Sequence, residues 1–193
     1  PEFDPYSVTG KYSGKMLFGF TGGNEYLHNG SWKLDSSANG NGWTAQGVWG
    51  SNYALRPYYY DQLADGQTHQ MNANLTIPRG YWIHITRRVK MNTPGKKDGI
   101  YEVYINDSLR AQATDVEWRS WQQGKDYGKI SHLHLTYFFG GGGADYASRR
   151  DNYIRIDNMV AYYYTPSAKG YLAGAPPKGH KISRNLPKKD IYP

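Results

Sequence analysis

The sequence predicts an all-β fold, a β-sandwich of jelly-roll type with two antiparallel sheets and a concave cleft. Three observations carry this. Nearly every apolar segment alternates with a period of two, and none sustains a helical stripe. The alternating runs are short and separated by Gly-rich turns. The chain also holds 19 tyrosines and 6 tryptophans, rings that fill sandwich cores and pack on sugar faces. Its 193 residues suffice for one domain with a two-layer core.

The elements follow in order. In KMLFGFT, Met16, Phe18 and Phe20 share one face, and Lys15, Leu17 and Gly19 the other. GWTAQGVW puts Thr44 and Gln46 opposite Trp43, Ala45 and Trp49, and the next run sets Arg56, Tyr58 and Tyr60 opposite Leu55 and Tyr59. YWIHITRRVKM aligns Ile83, Ile85, Val89 and Met91, with Arg87 as the polar exception; His84 and Arg88 take the other face. NTPGKKDG is a tight connection marked by Pro-Gly and Asp-Gly pairs. IYEVYIND turns Tyr101, Val103 and Ile105 inward. HLHLTYF opposes Leu133, Leu135 and Tyr137 to His132, His134 and Thr136, and YIRIDNMVAYYY reads as a closing strand. The predicted core holds Phe18, Phe20, Ile83, Ile85, Val103, Leu133, Leu135 and Ile156. Residues 1–164 form the domain, and 165–193 are a basic extension lying over its surface.

A formal charge of +7 favours a polyanionic partner: nucleic acid, anionic lipid or an acidic polysaccharide. No apolar run is long enough to span a membrane, and no nucleic-acid-binding module is recognisable. The chain has no cysteine, so disulfides and thiolate metal sites are excluded. PEFDPYSVTG lacks the basic start and apolar core of a signal peptide. Sequons at Asn29, Asn74 and Asn106 point to secretion.

Four glycines, Gly140 to Gly143, precede Ala-Asp-Tyr-Ala rather than the Lys-Ser or Lys-Thr of a phosphate loop. A plain strand connection and a loop that lets a polymer come close both fit. Arg149 and Arg150 beside it are candidates for acidic sugar groups or simple solvated charges. His132 and His134 have same-face spacing but no third ligand, so no metal site is predicted. DSSANGNG (Asp35 to Gly42) has the composition of a structural calcium loop and equally of a plain turn; no other cofactor is implied.

If the polar faces around Gln46 and Tyr58 line one sheet, they gather an amide, a guanidinium and two phenols, with Lys15 beside them. That set suits β-elimination at a 4-linked uronate. The C6 carboxylate is neutralised, a base removes the C5 proton, and an acid protonates the leaving O4. The paired carboxylates of a glycoside hydrolase are not apparent.

RVKMNTPGKKDGIYEVYIND, the strand end TYFFGGGG and DNYIRIDNMV, in that order, resemble polysaccharide lyase family 14 over roughly residues 8 to 164. The resemblance implies a jelly roll whose concave sheet holds a uronate polymer, alginate or glucuronan. The family's lysine in a Gly-Lys strand matches Gly14-Lys15, and its Tyr-x-Tyr matches Tyr58 and Tyr60. Its Ser-x-Arg is Thr44-Ala45-Gln46 here, so the arginine is lost. Carboxylate neutralisation therefore falls to Gln46 with Arg56, and proton transfer to Lys15, Tyr58 and Tyr60. Thr44, His84, Arg88, His134, Arg149 and Arg150 are the expected substrate contacts. Family members carry strands ahead of this segment, which implies an incomplete domain or a second polypeptide that completes it. A non-catalytic carbohydrate-binding or matrix protein on the same scaffold is the competing reading.

Overall fold

A computed structural model of the chain describes residues 4, 6–11, 14–23, 42–49, 54–61, 69–71, 75–77, 82–119, 129–140 and 143–161, with backbone alone at 14–17, 23, 48, 49, 69, 70 and 136. Among the described residues nine strands follow in order: β1 Gly14–Gly23, β2 Gly42–Trp49, β3 Ala54–Tyr60, β4 His69–Gln70, β5 Leu75–Thr76, β6 Ile85–Lys90, β7 Gly99–Ile105, β8 Ser108–Val116 and β9 Ile130–Phe139. A 3-10 turn at Ala144–Tyr146 is the single helical element among the described residues. The larger sheet runs β4-β3-β2-β1-β9, with β5 also paired to β3, and the smaller runs β6-β7-β8. All named pairings are antiparallel. This is the two-sheet jelly-roll sandwich that the alternation predicts.

Local chemistry sets the turns. Asn106 and Asp107 join β7 to β8 with φ of 48° and 66°. A two-residue hairpin whose residues both have positive φ matches the twist of its flanking strands, and Asn and Asp tolerate that conformation best after glycine. Between β6 and β7, Asp98 accepts from the Thr93 amide (2.6 Å) and hydroxyl (2.8 Å). Buried Asn92 donates to the carbonyls of Thr93, Lys96 and Arg119 and so holds the NTPGKKDG connection shut.

The core lies between the smaller sheet and the β2–β3 side of the larger one. Trp43, Ala45, Leu55 and Tyr59 meet Tyr101, Val103, Ile105, Ala111, Val116 and Trp118. Trp43 and Trp118 pack with ring centroids 4.8 Å apart, and Tyr59 and Tyr101 meet edge to face at 6.1 Å. Truncating a fully buried ring such as Trp118 to alanine costs about 3–5 kcal/mol. Part of the aromatic excess is therefore core filling.

Several core expectations fail. Val103 is fully buried, and Phe20 and Ile85 pack against the cluster, while Phe18 and Ile83 are only half-buried. Leu133, Leu135 and Ile156 are 40%, 43% and 44% exposed. Leu133 and Leu135 do lie on the core side of β9. However, β9 is the edge of the larger sheet, away from the β2–β3 side that carries the core. Nor do residues 151–161 form the predicted closing strand. Asn158 takes φ 54°, and its amide donates to the Asp157 side chain at 2.7 Å, a local turn that competes with strand pairing. The extension at 165–193, the calcium-type loop from Asp35 to Asn41, the Asn29 and Asn74 sequons, and Gly141 and Gly142 lie outside the described residues.

Candidate active site

Cross-strand partners share a face of the sheet. Lys15 pairs with Val48, and Val48 with Arg56; Gln46 pairs with Tyr58, and Thr44 with Tyr60. Between Met16↔Gly47 and Phe20↔Ala45, β1 advances four residues while β2 advances two. The offset is even, so the faces are kept through the slip. Glycine is required there: a Cβ at Gly19 would lie 1.8 Å from the Ala45 carbonyl oxygen. On β9, His134 and His132 pair with Gly19 and Thr21 and join the same face. The positions of Lys15, Thr44, Gln46, Arg56, Tyr58, Tyr60 and His134 thus occupy one face, opposite the core. The Lys15 side chain lies outside the described residues.

At the centre of this face the Tyr58 hydroxyl donates to Gln46 Oε1 at 2.9 Å. The Tyr58 and Tyr60 rings meet edge to face, with centroids 5.8 Å apart. Thr44 and Gln46 are fully buried, Tyr58 and Tyr60 nearly so, and Arg56 is half-buried. Two polar atoms in the row have no hydrogen-bond partner: Gln46 Nε2, a donor, and Thr44 Oγ1. Such orphans are rare in a folded interior, because each costs about 1–3 kcal/mol. Burial pushes the Tyr58 phenol far above its usual range, helped by Tyr60 and Tyr101 and opposed by the Arg87 charge. Burial raises Tyr60 as well. Both phenols keep their protons at neutral pH.

The other expected contacts lie elsewhere. Arg88 pairs with Glu102 on the outer face of the smaller sheet. His84 precedes that strand and meets Asp107 at 3.1 Å, in the β7–β8 turn. Neither is brought to the Gln46 face. Alternation sorts residues within a strand, but it does not tell which sheet the strand joins. Arg149 and Arg150 are likewise committed, with Nε atoms 2.6 and 3.1 Å from the buried carboxylate of Asp4. Desolvation pulls that carboxyl up, but hydrogen bonds from Arg149 and the Tyr6 amide, with both arginine charges, outweigh it and leave its pKa lowered. The two arginines latch the segment after β9 to the start of the chain. Among the described residues, no group of three or more His, Asp and Glu side chains is placed to hold a metal ion.

One residue of consequence was visible in the sequence only as an irregularity. Arg87 breaks the apolar face of β6, and the structure places it on that face, 8% exposed, between the sheets.

The chain is thus a two-sheet protein of jelly-roll type with a row of amide, phenols and basic positions across one sheet. The polysaccharide lyase 14 family model matches residues 14–159, and the chain belongs to that family. No curated protein sequence matches it. The fold is similar to that of alginate lyase Aly36B, at 21% identity and a TM-score of 0.53 over 76% of this chain and 60% of that one. It is also similar to an Aly36B variant, with a lysine and a tyrosine replaced by alanine, in complex with an alginate tetrasaccharide (21% identity, TM-score 0.55, 78% and 62% covered). Alginate lyase vAL-1 from Chlorella virus is similar at 17% identity, with a TM-score of 0.56 and 76% and 62% covered. At these identities the likeness concerns the fold, and the chain spans about three fifths of the length of these structures.

Proposed function

We propose that the chain is a polysaccharide lyase that cleaves a uronate polymer of the alginate or glucuronan class by β-elimination. The observation that carries this reading is the state of Gln46. Its oxygen is held by Tyr58 while its buried Nε2 has no partner. An amide fixed at one end keeps an unspent N–H₂ donor, and a sugar C6 carboxylate is an acceptor of the right charge. Arg56, in the same row, adds a cation. Family membership and the alginate held by a structurally similar lyase support the same substrate class.

With the carboxylate neutralised, Lys15 takes the C5 proton. The electrons form the C4–C5 double bond, the C4–O4 bond breaks, and the leaving O4 is protonated. Tyr60, on the same face and with its proton retained by burial, donates to O4. His134, on the same face, contacts a neighbouring sugar. No water nucleophile enters the step. Acidic polysaccharides of this class lie outside cells, so we place the enzyme there; the Asn106 sequon, in an exposed hairpin turn, suits that location.

Incubation of the full chain with alginate and with glucuronan, followed by the ultraviolet absorbance of the unsaturated product, tests the reading. Growth of that absorbance on one of the two is expected. Saturable binding of either polymer without new absorbance would make the chain a binding protein instead.

A further inference from the structure

Arg87 has no assigned role, and its surroundings are unusual. It stands on the inner face of β6, opposite Val103, and is 8% exposed. None of its three guanidinium nitrogens has a hydrogen bond of good geometry. Its guanidinium carbon lies 5.5 Å from the centroid of the Phe18 ring, and the group also stands beside Tyr101, whose phenol burial raises and the Arg87 charge and side chain draw back down. Nearby Tyr101 spends its hydroxyl on the Gln46 backbone carbonyl at 2.7 Å. Arginine keeps its charge on burial, so a full cation sits desolvated in the sandwich. That arrangement is costly unless something offsets it.

Its position suggests what does. Gly47 lies between Gln46 and Val48 on β2 and faces the core. A Cβ there would come 2.7 Å from Arg87 Nη2 and 3.1 Å from Leu55 Cδ1. The guanidinium therefore rests against the bare backbone of the strand whose other face carries the Gln46 amide. We propose that Arg87 is a positioning residue of the uronate site, its charge acting through the Gly47 gap on the Gln46–Tyr58 pair and on the negative charge that develops on the substrate. A neutral amide at position 46 then works because a cation stands behind it. Charge fixed in a water-poor interior acts on a transition state without reorganisation. The direction of its effect on the Tyr58 phenol agrees. The inference rests on the lyase reading above.

The test compares wild type with Arg87→Met, Arg87→Lys and Gly47→Ala in the full chain, measuring kcat, KM and Tm. Met has similar reach and no charge. Its expected result is a roughly tenfold fall in kcat, the scale of one unit charge lost from a site of intermediate dielectric. KM should change little and Tm should be equal or higher. Lys should recover most of the lost kcat. A merely structural arginine would give a lower Tm with kcat intact, and Lys no better than Met in kcat. If Arg87→Met does not fold, Gly47→Ala, which displaces the guanidinium while keeping its charge, must lower kcat. An active wild type whose folded variants keep kcat within about twofold overturns the role of Arg87 alone. A wild type that cleaves neither polymer overturns the lyase reading, and this inference with it.

Discussion

Two buried polar side chains sit on opposite outer faces of the sandwich, and they differ in how completely they are partnered. Glu102, on β7, is 4% exposed. One of its carboxylate oxygens accepts from Gln112 Nε2 at 2.7 Å, and the other from Arg88 and from the Tyr104 hydroxyl at 3.0 Å. Gln46, on β2, is fully buried, with Oε1 held by Tyr58 and Nε2 open, beside an equally unpartnered Thr44 hydroxyl. A satisfied buried group holds strands in register. An unsatisfied one lowers stability and is explained when a ligand completes it. On that distinction the β7 face is architecture and the β2–β3 face is the candidate site.

The two faces should differ most at Tyr60. Tyr60→Phe removes one hydroxyl from a well-packed ring, so turnover should fall roughly 10²–10⁴-fold while the denaturant midpoint stays near wild type. Lys15→Ala should be as damaging. Turnover unchanged in both would leave the open row without a catalytic purpose.

Glu102→Ala should show the reverse. It strands Tyr104 and Gln112 and frees Arg88, at a cost of about 1–3 kcal/mol in urea unfolding. Turnover per folded molecule should not change. A loss of turnover matching that of Tyr60→Phe would erase the difference between the two faces.

Asp4 is a second satisfied carboxylate. Its pKa is lowered in the fold, so its contribution is present above the ordinary carboxyl pKa of 3.8 and is lost as pH falls through the lowered value. Both arginines are about half-exposed, and solvent screening holds the effect to about 1 kcal/mol. The stability gap between wild type and Asp4→Asn should stay level above about pH 4 and close below it. A gap that persists into stronger acid would mean that Asp4 acts through shape and not through charge.

The faces of β1, β2 and β3 were legible because alternation is a local property. Thr44 and Gln46 oppose Trp43 and Ala45 in any sheet containing that strand, and the Asn106-Asp107 turn needs only its own two residues. What was misplaced depends on distant partners. His84 and Arg88 read as cleft residues because their strand has a polar side, but that side is the outside of the other sheet. Arg149 and Arg150 read as sugar contacts because their partner Asp4 lies some 145 residues away.

Strand periodicity, the residues sharing each face, the family and the break in pattern at Arg87 are all readable along the chain. Each is carried by neighbours along the chain or by short motifs. Only the tertiary structure decided which faces were covered. It left Leu133 and Leu135 exposed on an edge strand, buried Gln46 with one donor open, and set Arg87 against Gly47. Those outcomes depend on which sheet packs on which, and the free energy of burial belongs to the packed pair of surfaces, not to either strand alone.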